Sequence, residues 1–378
     1  MAPSEGLRQM SKFYRNPTTI LLENGAFPKI ADWVHLVGAK KILLVLGGKF
    51  FKGSSYFGVL KEALRGLDWQ VSTPVSENPK ISFVREFSEK FRGASFDCVI
   101  GIGGGSAIDT AKMAAVILAG DAATLDDYIV SKKAFKKRLP LAAVPTTAGT
   151  GSEVTPYVSL STQDRKKITV TDPQLFPDLA LLDPLLTHTM PAPVSASTGM
   201  DALSQAIESF WSVHHTGLSD THALRAVSLV TRHLETVVAK PGDAQARFAM
   251  ALGSCESGLA IAQTATTAVH SVSYPITEHF GVPHGHACAL TLAEFIRFNE
   301  PSMQDSRYDS LWKAMGVSSA FGAAEFVEGL MGKIGLERRL SKLGIDRKGM
   351  GVVLQNGFRP DRVKNNPREL TTEALKSM

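Results

Sequence analysis

Cysteine is scarce, with three in 378 residues, at Cys98, Cys255 and Cys288. An odd, widely spaced set excludes the disulfide framework of small secreted proteins, and each cysteine sits among apolar neighbours that suit a small buried residue. No run approaches the roughly 18 uninterrupted apolar residues that a membrane helix needs. The opening MAPSEGLRQMSK lacks the apolar core of a secretion signal, so a cytoplasmic protein without a membrane partner is expected. Internal repeats and low-complexity tracts are also missing, which removes solenoids and disordered scaffolds. So are long blocks of one charge sign: 41 basic residues stand against 36 acidic ones, giving a net charge of +5. The basic residues are scattered or in short runs such as Lys136-Lys137-Arg138, a pattern that argues against nucleic acid and for a mild attraction towards anionic small molecules.

What is present describes an ordinary globular protein, 44% hydrophobic and 20% charged. The length exceeds what one core usually supports, so two domains are expected. In the first half, runs apolar at every position, namely 40–48, 96–105, 141–145 and 179–184, alternate with helical patterns such as SFVREFSEKFRG and DTAKMAAVILAG. Such runs suit strands buried on both faces of a parallel sheet. After about Pro184 the strand signal stops and helical patterns follow one another, among them MDALSQAIESFWS and LRAVSLVTRHLETVV. The expectation is an α/β dinucleotide-binding domain over 1–183 and an all-helical domain over 184–378 that binds metal and substrate.

Two loops carry the cofactor argument. Gly101-Ile102-Gly103-Gly104-Gly105-Ser106 follows a strand pattern and opens a helix near Ala107. Glycines let backbone approach a pyrophosphate, and the free N–H groups and positive dipole end of the helix face its charge. Alone, the pattern is equally that of a tight strand-to-helix turn. A second small-residue cluster, Pro145-Thr146-Thr147-Ala148-Gly149-Thr150-Gly151-Ser152-Glu153, again follows a buried strand, and ends of neighbouring parallel strands converge on one crevice.

Four histidines fall within residues 270–286: His270, His279, His284 and His286. In MDALSQAIESFWS the apolar positions Leu203, Ala206, Ile207, Phe210 and Trp211 share a stripe, with Asp201, Gln205, Glu208 and Ser212 opposite. By pattern alone that opposite face is a solvated one. The competing reading has it lining a polar interdomain cleft, where Asp201 and the residue four positions on coordinate one ion together with distant histidines. A carboxylate with imidazoles suits Fe2+ or Zn2+ better than Ca2+ or Mg2+.

Across nearly its full length the sequence resembles the iron-containing alcohol dehydrogenase family. The motifs that carry the resemblance are GIGGGSAIDTAK (101–112), PTTAGTGSE (145–153), TGMDALSQAIE (198–208), VHSVSYPI (269–276), PHGHA (283–287) and NPRELT (366–371). It implies a Rossmann-like N-terminal domain, an all-α C-terminal domain, a nicotinamide cofactor in the cleft between them, one divalent metal, and a homodimer or larger homo-oligomer. By motif, Gly103, Gly104, Gly105, Ser106 and Asp109 belong to the cofactor site, Thr146, Thr147 and Thr150 line it, and Lys167 corresponds to a lysine near the cofactor. Asp201, His270 and His284 match three metal ligands.

Departures from the family pattern are informative. Gln205 stands where a histidine usually supplies the fourth ligand, and an amide oxygen is a weaker donor than imidazole. Tyr274 stands where many members have a histidine near the substrate, and His286 occupies a position that is usually apolar; both are candidates for handling the proton. Where NAD-preferring relatives end a strand in aspartate, this chain has Gly47-Gly48-Lys49, with Lys52 close behind. Loss of the carboxylate and gain of cations favour NADP(H) over NAD(H). The stretch MDALSQAIESFWSVHHT looks most like the phosphonate-metabolism branch, which implies reduction of phosphonoacetaldehyde to 2-hydroxyethylphosphonate. Alternatives are a small unphosphorylated aldehyde or diol as substrate, a dehydroquinate synthase-like lyase, and a binding protein with a decayed metal site.

Overall fold

The computed structural model describes residues 14–48, 51–91, 93–119 and 134–378. The chain forms two compact units, Asn16–Thr147 with Ser152–Thr187, and Ala148–Gly151 with His188–Met378.

The first unit is built on a six-stranded sheet of β1 (Thr19–Leu22), β2 (Lys41–Leu46), β3 (Asp68–Val71), β4 (Cys98–Gly103), β5 (Leu141–Pro145) and β8 (Leu179–Leu182). The spatial order is β1-β8-β5-β4-β2-β3, and every pairing is parallel. The four inner strands are the four apolar runs of the sequence, and alternate side chains of one strand feed opposite layers. In β2, Leu43 and Val45 pack with Phe87, Phe91 and Ala111, whereas Ile42, Leu44 and Leu46 pack with Phe27 and Ile30. Edge strands β1 and β3 lack the signal because each is partly exposed. A separate antiparallel hairpin, β6 (Tyr157–Ser161) with β7 (Lys167–Thr171), completes the unit. Between β4 and β5 in the chain lies the helix α1 (Gly105–Leu118).

The second unit is helical; among the described residues no strand follows Leu182. Its main helices are α2 (Ala192–Trp211), α3 (Gly217–Ala239), α4 (Ala244–Thr264), α5 (Ala268–Phe280) and α6 (His284–Asn299). Local chemistry fixes the starts: Thr216 and Ser219 form a reciprocal capping box at α3, and Asp243 accepts from Ala246 N at α4. In α2 the predicted apolar stripe is buried in the main core. The opposite face is buried too, with Asp201 3% exposed, Gln205 4%, Glu208 0% and Ser212 0%, so the solvated reading of that face is wrong. A polar stripe looks the same in sequence whether water or protein covers it; here protein does. No helix among the described residues is long and apolar enough to cross a membrane.

Candidate active site

Three helices of the second unit bring a set of donors together. Asp201 projects from the middle of α2, His270 from the first turn of α5, and His284 and Cys288 from α6, where a separation of four residues places both on one face. One donor atom from each of these four side chains lies within 4.8 Å of all the others. His270 Nε2 is 3.4 Å and His284 Nε2 3.8 Å from Asp201 Oδ1, and Cys288 Sγ is 3.9 Å from His284 Nε2.

The close approach depends on Gly285. A Cβ there would lie 1.8 Å from the Ser197 carbonyl oxygen and 2.8 Å from Asp201 Cβ, so only glycine lets the start of α6 rest against α2.

Hydrogen bonding fixes the orientation of His270. Glu208, fully buried one face-repeat beyond Asp201, accepts at Oε1 from Thr267 N (2.9 Å), Thr267 Oγ1 (2.8 Å) and His270 N (3.2 Å). Its Oε2 pairs with His270 Nδ1. A proton on Nδ1 leaves the Nε2 lone pair facing Asp201 Oδ1, and neither of these two buried atoms has a hydrogen-bond partner among the described residues. An imidazole nitrogen and a carboxylate oxygen buried together call for a positive charge between them, a proton or a cation, so these side chains fit a divalent ion.

Burial disfavours the charged imidazoles, but Cys288 and Glu208 beside His270, and Cys288 and Asp201 beside His284, outweigh it and raise both above the ordinary histidine value, so in the absence of an ion the imidazoles carry the positive charge of the site. Burial pushes the Asp201 carboxyl up, but His284 and His270 beside it, with the Gln205 amide, hold it below the usual range. Burial also pushes the Cys288 thiol up, yet the two imidazoles outweigh it and bring the thiol to about 7. Cys98, buried without such neighbours, is pushed up to about 12.

Around the donors, the Tyr274 ring stacks on His284 (centroids 5.7 Å apart, planes at 14°), and the Arg359 guanidinium lies 5.2 Å from the Tyr274 centroid. Asp361 pairs with Arg359 at 2.8 Å and lies 3.7 Å from Arg362. Burial raises the Tyr274 phenol, and the charges of Arg362, His270, His284 and Arg359 outweigh that and lower it. Gln205 Oε1 lies 3.3 Å from the Ser257 hydroxyl, whose shorter bond goes to the Ser254 carbonyl at 2.8 Å. His286 is buried, and its Nε2 bonds the Glu337 carbonyl at 2.7 Å.

The glycine loop belongs to the first unit. Gly103 has φ +152°, and a Cβ there would lie 2.7 Å from Ala107 Cβ and 3.0 Å from the Gly47 backbone. Backbone conformation and space both demand glycine. Gly104 precedes α1 in extended conformation with no side-chain cap, so the first N–H groups of the helix, at Gly105 and Ser106, stay available to an anion. Thr146 N donates to Gly103 O at 2.9 Å, and the Thr147 hydroxyl would lie 3.3 Å from a Cβ on Gly104, so the two loops adjoin.

Asp109 faces inward. Its carboxylate accepts from Ser152 Oγ (2.5 Å) and Ser159 N (2.8 Å) and lies 3.9 Å from the fully buried Lys112 ammonium. Lys167 bonds Asn78 Oδ1. Thr150 sits on the Ala148–Gly151 segment of the helical unit, where Gly151 (φ +61°) abuts Gly258. Gly47 continues β2 through a bridge to Val75; Lys49 lies outside the described residues.

Sequence reasoning treated Cys288 as core packing and gave Glu208 no role of its own. The spacing His284-x3-Cys288 at the start of a helix was the available signal for the first. For the second it was a glutamate on the same helical face as Asp201, seven residues on.

Comparison with known proteins fits this arrangement. The model of "Iron-containing alcohol dehydrogenase" matches residues 17–184, and that of "Fe-containing alcohol dehydrogenase family, C-terminal" matches 195–378. The chain belongs to the iron-containing alcohol dehydrogenase family.

It is 32% identical over 354 residues to long-chain-alcohol dehydrogenase 1 of Geobacillus thermodenitrificans, spanning 90% of this chain and 88% of that protein. Lactaldehyde reductase of Escherichia coli is 30% identical over 365 residues, 93% and 94% of the two chains. Among solved structures, sulfoacetaldehyde reductase from Bifidobacterium kashiwanohense in complex with NAD+ matches with a TM-score of 0.90 and 36% identity, over 97% of this chain and 96% of that one. This iron-containing alcohol dehydrogenase is therefore an NAD(P)-dependent oxidoreductase that interconverts alcohols and aldehydes, and the lyase and non-enzyme readings are set aside.

Proposed function

We propose that the enzyme reduces a small aldehyde bearing an anionic head group, phosphonoacetaldehyde to 2-hydroxyethylphosphonate, with NADPH as the hydride donor. The observation that carries this reading is the cationic surround of Tyr274: its ring lies on His284 on one side and takes the Arg359 guanidinium as a cation–π partner, with Arg362 nearby. Guanidinium forks suit tetrahedral oxyanions.

A bound nicotinamide would supply the hydride to the carbonyl carbon, and the protein a proton to the oxygen, so that aldehyde and NADPH would give alcohol and NADP+. Asp201, His270 and His284 would hold a divalent ion, which when bound would supply Lewis-acid stabilisation of the negative charge developing on that oxygen. Glu208 keeps the His270 proton on Nδ1, and Gln205 supports Asp201. Tyr274 Oη is the group we assign to the proton, because His286 Nε2 is engaged by the Glu337 carbonyl. Gly103, Gly104, Gly105 and Ser106 would hold the pyrophosphate, with Thr146 and Thr147 lining the nucleotide site. Gly47 where a strand-end carboxylate would repel a 2′-phosphate, with Lys52 following, supports NADP(H).

Sulfoacetaldehyde is the second reading, favoured by the likeness to the Bifidobacterium reductase; the same cations would meet a sulfonate. The test is nicotinamide oxidation with phosphonoacetaldehyde, sulfoacetaldehyde, lactaldehyde and propanal, each with NADPH and NADH, before and after chelation. The proposal expects the highest kcat/KM with phosphonoacetaldehyde and NADPH, abolished by chelator. Equal efficiency with propanal overturns the anionic substrate, and a preference for NADH overturns the cofactor assignment.

A further inference from the structure

We propose that Cys288 Sγ is the fourth metal ligand of this enzyme, completing a set with Asp201, His270 and His284, while Gln205 stays outside the coordination sphere and supports Asp201. The inference rests on the reading that this cluster holds a divalent ion.

Geometry carries it. A tetrahedral ion with bonds of about 2.0–2.1 Å to N or O and about 2.3 Å to S has ligand-to-ligand edges of roughly 3.3–3.6 Å. Three of the six separations here are 3.4 Å, 3.8 Å and 3.9 Å, and all six are within 4.8 Å, so the four donors need move inwards by at most about an ångström to close on one ion. His284 and Cys288 are one turn apart on α6, whose approach to α2 is set by Gly285. Asp201 Oδ1 and His270 Nε2 point into the same space as buried atoms without partners among the described residues.

Gln205, by contrast, hydrogen-bonds the Asp201 carboxylate, which only its NH2 group can do, and that group is no metal donor. The residue one turn after Asp201 thus leaves a donor position open, and a thiolate from a different helix reaches it. A soft sulfur donor shifts preference away from hard, oxygen-seeking cations and towards zinc.

The experiment loads chelator-stripped full-length enzyme with Co2+ and reads absorbance, together with metal content after gel filtration. The native protein is expected to bind one equivalent and to show an intense near-ultraviolet sulfur-to-cobalt charge-transfer band. Cys288→Ser and Cys288→Ala, with folding checked by circular dichroism, should lose that band. Their Zn2+ affinity should fall by more than the roughly 10–100-fold typical of a supporting residue. Gln205→Ala should keep the band. Stoichiometric Co2+ without a sulfur band in the native protein, or a band that survives Cys288→Ser, overturns the ligand assignment while leaving the metal-dependent reading intact. Absence of any bound Co2+ or Zn2+ in the native protein overturns both.

Discussion

Replacing Glu208 with glutamine tests whether the metal centre depends on the buried carboxylate behind it. Three donors, Thr267 N, Thr267 Oγ1 and His270 N, converge on Oε1. In Glu208→Gln the amide oxygen must stay against them, since turning the NH2 group there would leave buried donors unsatisfied at about 1–3 kcal/mol each. The NH2 group then faces His270 Nδ1, which must become an acceptor, so the ring proton moves to Nε2 and blocks the lone pair that faces Asp201. Metal affinity is expected to fall about 10–100-fold, equivalent to about 1.4–2.8 kcal/mol. Zn2+ titration in competition with a chromophoric chelator measures the loss, and urea unfolding of the metal-free protein checks the fold. Native affinity in a folded Glu208→Gln protein would refute the argument that this hydrogen bond sets the tautomer.

Other perturbations probe different links. Gly285→Ala should separate α6 from α2, because a Cβ cannot sit 1.8 Å from a carbonyl oxygen; metal content after purification should drop with the fold largely retained by circular dichroism. Lys112→Met strands buried Asp109 beside an apolar chain in place of an ammonium that bonds Ser152 Oγ, Thr155 O and Tyr157 O, and removing one partner of a buried pair costs about 3–5 kcal/mol in urea unfolding. Burial raises the Glu153 carboxyl to about 7. A raised folded-state value means stability present below the unfolded carboxyl range and lost as pH rises through about 7. Glu153→Gln should therefore flatten the decline by about 3 kcal/mol. Arg359→Ala should raise KM for phosphonoacetaldehyde by about tenfold or more, the loss of one charge-assisted contact, and leave KM for propanal unchanged.

The sequence by itself determined the inner architecture. Strands buried on both faces must be apolar at every position, so β2, β4, β5 and β8 could be read directly, and the glycine loop between β4 and α1 is marked because Gly103 has no alternative there. Edge strands β1 and β3 and the β6–β7 hairpin were missed, since half-exposed strands carry a short, mixed pattern that loops share. Asp201, His270 and His284 were reached through family motifs; composition and spacing alone left the polar face of α2 looking solvated. Only tertiary structure decided that this face is buried, that Glu208 bonds His270, and that Cys288 joins the donors. Each of those contacts links residues on different helices, separated along the chain by 62 residues for Glu208 and His270. No local period encodes such a distance; the packing of α5 and α6 against α2 does.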